Sequence, residues 1–96
     1  MRIVRIKPEG FKYFHNTRAY YLSGITRLLE EDNWLPEGKA VHFFFEKKIV
    51  RNLDLANATD LYLEVEPTGK EVISNGRLVL RFDAIRIYEE YNGDSD

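Results

Sequence analysis

Apolar residues along this chain follow two different periods. Wound at about 100° per residue, Leu28, Tyr21, Ile25, Leu29 and Leu22 fall within an arc of ~120°, the width of a core-facing helical stripe. Glu30, Arg27, Glu31 and Ser23 take the opposite side. This spacing predicts one amphipathic helix over about 18–31, entered through Asn16 or Thr17, whose side-chain oxygens suit a cap. Asp32-Asn33 and the Pro36-Glu37-Gly38 loop would end it. Gly24 inside the helix costs up to ~1 kcal/mol against alanine. A competing spacing caps a shorter helix at Ser23 and leaves Ala19–Leu22 extended. The longer helix is preferred because it keeps Tyr21 and Leu22 in the stripe.

From Ala40 onward the period is two. Val41, Phe43 and Phe45 share one strand face, and His42, Phe44, Glu46 and Lys48 the other. A second run, Ile49–Leu55, follows a tight turn near Lys47-Lys48. Asn57-Ala58-Thr59 reads as a turn, after which Leu61, Leu63 and Val65 alternate with Tyr62, Glu64 and Glu66. Pro67-Thr68-Gly69-Lys70 supplies turn chemistry, and Asn75-Gly76 is the dipeptide of a two-residue hairpin. Arg77–Phe82 and Ala84–Glu89 read as strands broken at Asp83. At the front, Arg2–Lys7 is a short strand stopped by Pro8, and Phe11–His15 a second one. The expected fold is α+β: one amphipathic helix packed on a strongly bent antiparallel sheet or small barrel of about five strands, with an extra N-terminal strand. Residues 1–91 form the domain and 92–96 a frayed acidic tail. Glu64 and Glu66 are expected across from Arg77 and Arg81 on the solvent face, each pair worth ~0.2–1 kcal/mol.

Charge adds a second pattern. Residues 1–27 carry six Lys/Arg against one Glu, and residues 28–96 carry eight against fifteen Asp/Glu. The basic front end interleaves rings with cations: Phe11, Lys12, Tyr13, Phe14, His15, Arg18, Tyr20, Tyr21. Such an asymmetry points to interaction with a partner. Ninety-six residues without cysteine exclude disulfides, thiolate metal sites and cysteine nucleophiles. No apolar run reaches the ~20 residues of a membrane helix, and Met1–Ile6 lacks the apolar stretch of a secretion signal. A cytoplasmic location is the expectation.

The stretch Gly76-Arg77-Leu78-Val79-Leu80-Arg81-Phe82-Asp83-Ala84-Ile85 is similar to the second motif of the Sm-like RNA-binding fold. In that family a glycine-bearing strand runs into an apolar-Arg-Gly-polar-polar-apolar turn. The resemblance implies an oligomeric, single-stranded RNA-binding domain with Arg81 and Asp83 in the RNA pocket. Phe82 stands where the family has glycine, and the Asp-x-x-Met-Asn signature of its first motif is absent.

Candidate chemistry is sparse. Lys12, Tyr13 and Arg18 belong to a basic-aromatic stretch able to stack bases and hold phosphates; the preferred reading makes Phe11, Phe14 and Tyr21 core rings with the cations solvated, because Tyr21 already belongs to the helical stripe. On the predicted helix Tyr20, Gly24 and Arg27 line up on the solvent side. A ring, a notch and a guanidinium in that order suit a protein partner. Phe44, set against its apolar neighbours on the charged face, calls for a cover, and an interface with a second copy provides one. His15 and His42 lack the further ligands a zinc site needs, so no metal and no cofactor are expected. Ser23 and Ser74 lack a nucleophile context, and no carboxylate pair is marked out by spacing, so no enzyme is expected. The reading that results is a non-catalytic interaction or regulatory module, such as a small inhibitor, that binds a protein partner. Its alternative is the Sm-like RNA-binding domain.

Overall fold

Residues 19–26 form a strand rather than the first half of a helix. In the computed structural model, which describes residues 1–29, 34–49, 55 and 57–90, strand β1 (Arg2–Phe14) turns at 15–18 and returns antiparallel as β2 (Ala19–Thr26). The α+β expectation is therefore corrected. The described residues hold no helix of seven or more residues, and their one helical piece is a 3₁₀ turn at Lys47–Ile49. The segment satisfies period two as well as period 3.6. Leu22, Gly24 and Thr26 are buried, while Tyr21, Ser23 and Ile25 between them are half-buried. Tyr20, Tyr21, Ile25 and Thr26 are aromatic or β-branched and fit a pleated surface. Leu28, which a helix would place in its core stripe, is 47% exposed.

Pro8 does not end the first strand. A bulge between Pro8 and Gly10 shifts the register, and the ladder to β2 continues to Phe14 opposite Ala19. Proline is tolerated at a bulge because the ladder is already interrupted there. The expected extra N-terminal strand is thus a central one. Its first half pairs with β4 (Leu61–Val65) and most of its length with β2.

The remaining strands are β3 (Ala40–Glu46), β5 (Lys70–Ser74) and β6 (Arg77–Tyr88). β6 is a single run with Asp83 inside it, not two strands broken there. The hydrogen-bonded circuit β1–β2–β3–β6–β4 returns to β1 and closes a five-stranded barrel. Closure comes from β3 and β6, which pair in parallel from Val41–Leu80 to Phe44–Asp83, the other neighbours being antiparallel. β5 lies outside the circuit as a hairpin on β6 through Asn75-Gly76. Both turn residues have positive φ, 52° and 77°, the geometry a two-residue primed turn requires.

The interior follows alternation. Val41, Phe43 and Phe45, and Leu61, Leu63 and Val65, all point inward and are at most 4% exposed, joined by Ile6, Leu22 and Phe82. Gly24 marks a close approach of β1 to β2: a Cβ there would lie 2.7 Å from the Lys7 carbonyl oxygen and 2.8 Å from Ile6 Cδ1. At the end of β2 the buried Thr26 hydroxyl donates to the Pro36 carbonyl at 2.6 Å and accepts from the Lys39 N–H at 2.7 Å, fixing the loop to β3. Trp34 Nε1 donates to the Ile3 carbonyl at 3.1 Å, and its ring meets Phe82 edge-on.

On the β4 side Glu64 lies opposite Arg86, not Arg77 or Arg81, and accepts from the Tyr88 hydroxyl at 3.2 Å. The acidic tail expected at 92–96 falls outside the described residues, as does the run expected over Ile49–Leu55 apart from its ends, of which Ile49 closes the 3₁₀ turn. Among the described residues no helix is long and apolar enough to cross a membrane.

Candidate binding face on β2, β3 and β6

Alternation that buries Leu22 and Phe43 must turn their neighbours outward. On the outer face two rows of side chains cross the sheet. In one, Lys12 of β1 lies opposite Tyr21 of β2, Tyr21 opposite Phe44 of β3, and Phe44 beside Asp83 of β6. In the other, Ser23 lies opposite His42, His42 beside Arg81, and Arg81 opposite Lys70 of β5. Residues from five strands, spread over most of the sequence, therefore share one patch.

The rings of this patch touch. Tyr21 meets His42 edge-on at 4.8 Å between centroids and Phe44 at 5.2 Å. The Arg81 guanidinium lies 4.5 Å from the Phe44 centroid, a cation–π arrangement. Ser74, on the hairpin strand β5, has its side chain beside the Tyr21 hydroxyl, where it favours the ionised phenol. Partial burial pushes the Tyr21 phenol above its ordinary value, opposed by the neighbouring Ser74 side chain. The same loss of water holds His42 below the ordinary imidazole value. Val79 is only 4% exposed yet stands apart from the barrel core, on the outward-facing side of β6 with Arg81. The face thus has an apolar floor with cations at its edges. Lys12, Lys70 and Arg81 stand against Asp83, which approaches Arg81 Nη2 at 3.7 Å.

Past Phe44 the face runs into a groove of about 460 Å³ between the end of β3 and β6, lined by Phe44, Phe45, Ile49, Ala84 and Ile85, with Ala19 and the charged Glu46, Lys48 and Asp83. A second hollow of about 680 Å³ shares Lys48 and Glu46 with it and adds Thr17, Arg18 and Lys47. Lys48 pairs with Glu46 at 3.1 Å, and the Lys47 ammonium sits 5.5 Å from the Tyr13 ring centroid.

Of the residues singled out from the sequence, Lys12, Arg81, Asp83 and Phe44 come together on this face. Tyr13 and Arg18 lie beyond its end: Tyr13 packs on Tyr20 and His15, and Arg18 sits in the β1–β2 turn with φ 52°. Tyr20, Gly24 and Arg27 do not form a surface. Tyr20 is stacked between Phe11 and Phe45 at 5.0 and 5.3 Å, and Gly24 is buried. Arg27 Nε is held by Asp60 Oδ1 at 3.2 Å, with Arg5 on the other carboxylate oxygen. Their alignment depended on a helix, and a strand places Tyr20 and Gly24 inward. Phe44 is half-buried beneath Arg81 and Tyr21, so its exposure no longer requires a second copy.

Tyr21, His42, Lys70 and Ser74 were missed as partners in one site. Tyr21 had been assigned to the core and His42 weighed only as a metal ligand. Among the described residues no group of three or more His, Asp or Glu side chains could hold a metal ion. No family model, curated protein or solved structure matches this chain.

Proposed function

We propose that this chain binds single-stranded nucleic acid on the outer face of β2, β3 and β6. The observation that carries the reading is the contact cluster Tyr21–His42–Phe44–Arg81, set outside the barrel core and flanked by Lys12 and Lys70. Aromatic rings and guanidinium planes accept unpaired bases by stacking, and cations beside them neutralise the phosphates between those bases. A duplex hides its base faces, so rings on a barrel surface favour a single strand. Five-stranded Greek-key barrels of the OB type use the face of their second and third strands and adjoining loops for oligonucleotides. That is an analogy of architecture, and it supports the reading only as such. A protein partner on Tyr20, Gly24 and Arg27 is not carried forward, because those residues share no exposed face.

The test is binding of short single-stranded RNA and DNA followed by fluorescence anisotropy across a salt series. Each phosphate neutralised contributes about −0.7 to the log–log slope of affinity against salt. Lys12→Ala and Arg81→Ala should each flatten the slope by about that amount. Phe44→Ala should lose ~1–3 kcal/mol at unchanged slope, the size of one base stack. Failure to bind either strand at about 50 mM salt, or binding that ignores Phe44 and Arg81 alike, overturns the proposal.

A further inference from the structure

The groove beyond Phe44 has a chemistry of its own. Its walls are largely apolar and include the rings of Phe44 and Phe45, which suits a flat heterocycle, and of its two carboxylates Glu46 is taken by Lys48 at 3.1 Å. Arg81, which covers Phe44, does not line it. In the parallel pairing Arg81 stands beside His42, one step back along β3, while the groove lies on the side of Asp83, Ala84 and Ile85. A base can therefore enter beside Phe44 without displacing the guanidinium. At about 460 Å³ the space holds one base with room for its sugar.

The rim decides which base. Asp83 is 82% exposed, and its ion pair with Arg81, at 3.7 Å, is longer than a hydrogen bond. Oδ1 faces Arg81 at that distance without a hydrogen bond, so the carboxylate keeps its capacity to accept from a ligand, and an ionised carboxylate can only accept. Among the common bases, guanine alone presents two adjacent donors on its Watson–Crick edge, N1–H and the N2 amino group. Adenine and cytosine set one donor beside a bare ring nitrogen, which a carboxylate repels. Uracil and thymine set one donor between two carbonyl oxygens. At the other end, the neighbouring hollow sets Arg18, Lys47 and Lys48 against the single carboxylate of Glu46, a net positive charge where the flanking phosphate would lie.

We infer that the groove between β3 and β6 is a guanine site, with Phe44 against the base, Asp83 on its Watson–Crick edge, and Arg18, Lys47 and Lys48 toward the adjoining phosphate. The inference rests on the single-strand reading above and adds base selectivity to it.

The experiment measures the affinity of the full chain for pyrimidine strands carrying one central guanine, hypoxanthine or adenine. Hypoxanthine keeps N1–H and lacks the N2 amino group. The guanine strand should bind roughly tenfold or more tighter than the adenine strand, with hypoxanthine between them. Asp83→Asn should collapse that ratio towards one. A purely electrostatic role for Asp83 would instead tighten all three strands by the same factor and leave the ratio intact. Asp83 is exposed, so the variant should melt like the parent, which circular dichroism checks. Guanosine monophosphate is titrated in parallel, with chemical shifts read at Phe44, Asp83 and Ala84.

Strand binding with equal affinity for guanine and hypoxanthine, or a ratio that survives Asp83→Asn, overturns the guanine site and leaves the single-strand reading standing. Mononucleotide binding at Phe44 and Asp83 with no strand binding does the reverse. Binding of neither overturns both.

Discussion

His42 is the residue where position and chemistry conflict. It sits among Tyr21, Phe44 and Arg81 on the outer face, where lost water favours the neutral ring and the guanidinium beside it in the ladder adds no reason to protonate. In the unfolded chain the imidazole takes up its proton near the ordinary value of 6.5. The folded state therefore binds fewer protons than the unfolded one just below that pH, and stability falls as pH falls. The contribution is whole above about 6.5 and is lost until His42 protonates in the folded chain. Denaturant midpoints from about pH 7.5 to about pH 5 should show a shallower slope in His42→Gln than in the parent. Equal slopes would mean that the imidazole is as wet folded as unfolded. A bound phosphate acts in the opposite sense, because it favours the cation. Binding of a strand should thus be aided by acid over the same window in which the free chain is weakened.

At the scale of elements, β2 shows why a periodicity can mislead. Positions 21, 22, 25, 28 and 29 make a helical stripe only if residues on both faces of a strand are counted as one. Burial separates the two models sharply. Leu22 is 0% exposed and Leu28 is 47% exposed, so Leu22→Ala should cost ~2–5 kcal/mol as a core cavity and Leu28→Ala below ~1 kcal/mol. Equal, large losses in urea melts would restore the helix. The strands that were legible have one face uniformly apolar: Val41, Phe43, Phe45 and Leu61, Leu63, Val65 announce themselves, as does the Asn75-Gly76 turn. β2 did not, because its inward residues are Tyr20, Leu22, Gly24 and Thr26. Two of those carry hydroxyls and one has no side chain, and the reason for the glycine lies on another strand, at Ile6 and Lys7. The candidate site was legible in its parts. Phe44 stood out as an apolar residue on a charged face, and Lys12, Arg81 and Asp83 were singled out. What joins them is register across a closed barrel, and a residue-12 to residue-83 neighbourhood has no local signature.

At the scale of the whole molecule, the barrel divides the chain into a closed part and an appendage. β1, β2, β3, β4 and the barrel half of β6 are paired on both sides. Among the described residues β5 pairs with β6 alone; it has no buried residue, and its hairpin leaves Ile73 77% and Leu78 63% exposed. Local opening is cheapest where buried apolar contact is least. Amides of β5 should therefore exchange with deuterium far faster than those of Phe43, Leu63 or Phe82, whose opening requires the circuit to break. The hairpin nevertheless touches the binding face, through Ser74 beside the Tyr21 hydroxyl and the ladder neighbour Lys70 of Arg81. A strand seated on Tyr21, Phe44 and Arg81 would hold Lys70 and Ser74 in place, and the free energy of that contact would be felt first by the element that opens most readily. Saturating single-stranded oligonucleotide should slow exchange in β5 and at the outward residues of β3, while the amides of β4 stay as they were. Slowing spread evenly over the barrel would point to general stabilisation instead, and an unchanged β5 would separate the hairpin from the site.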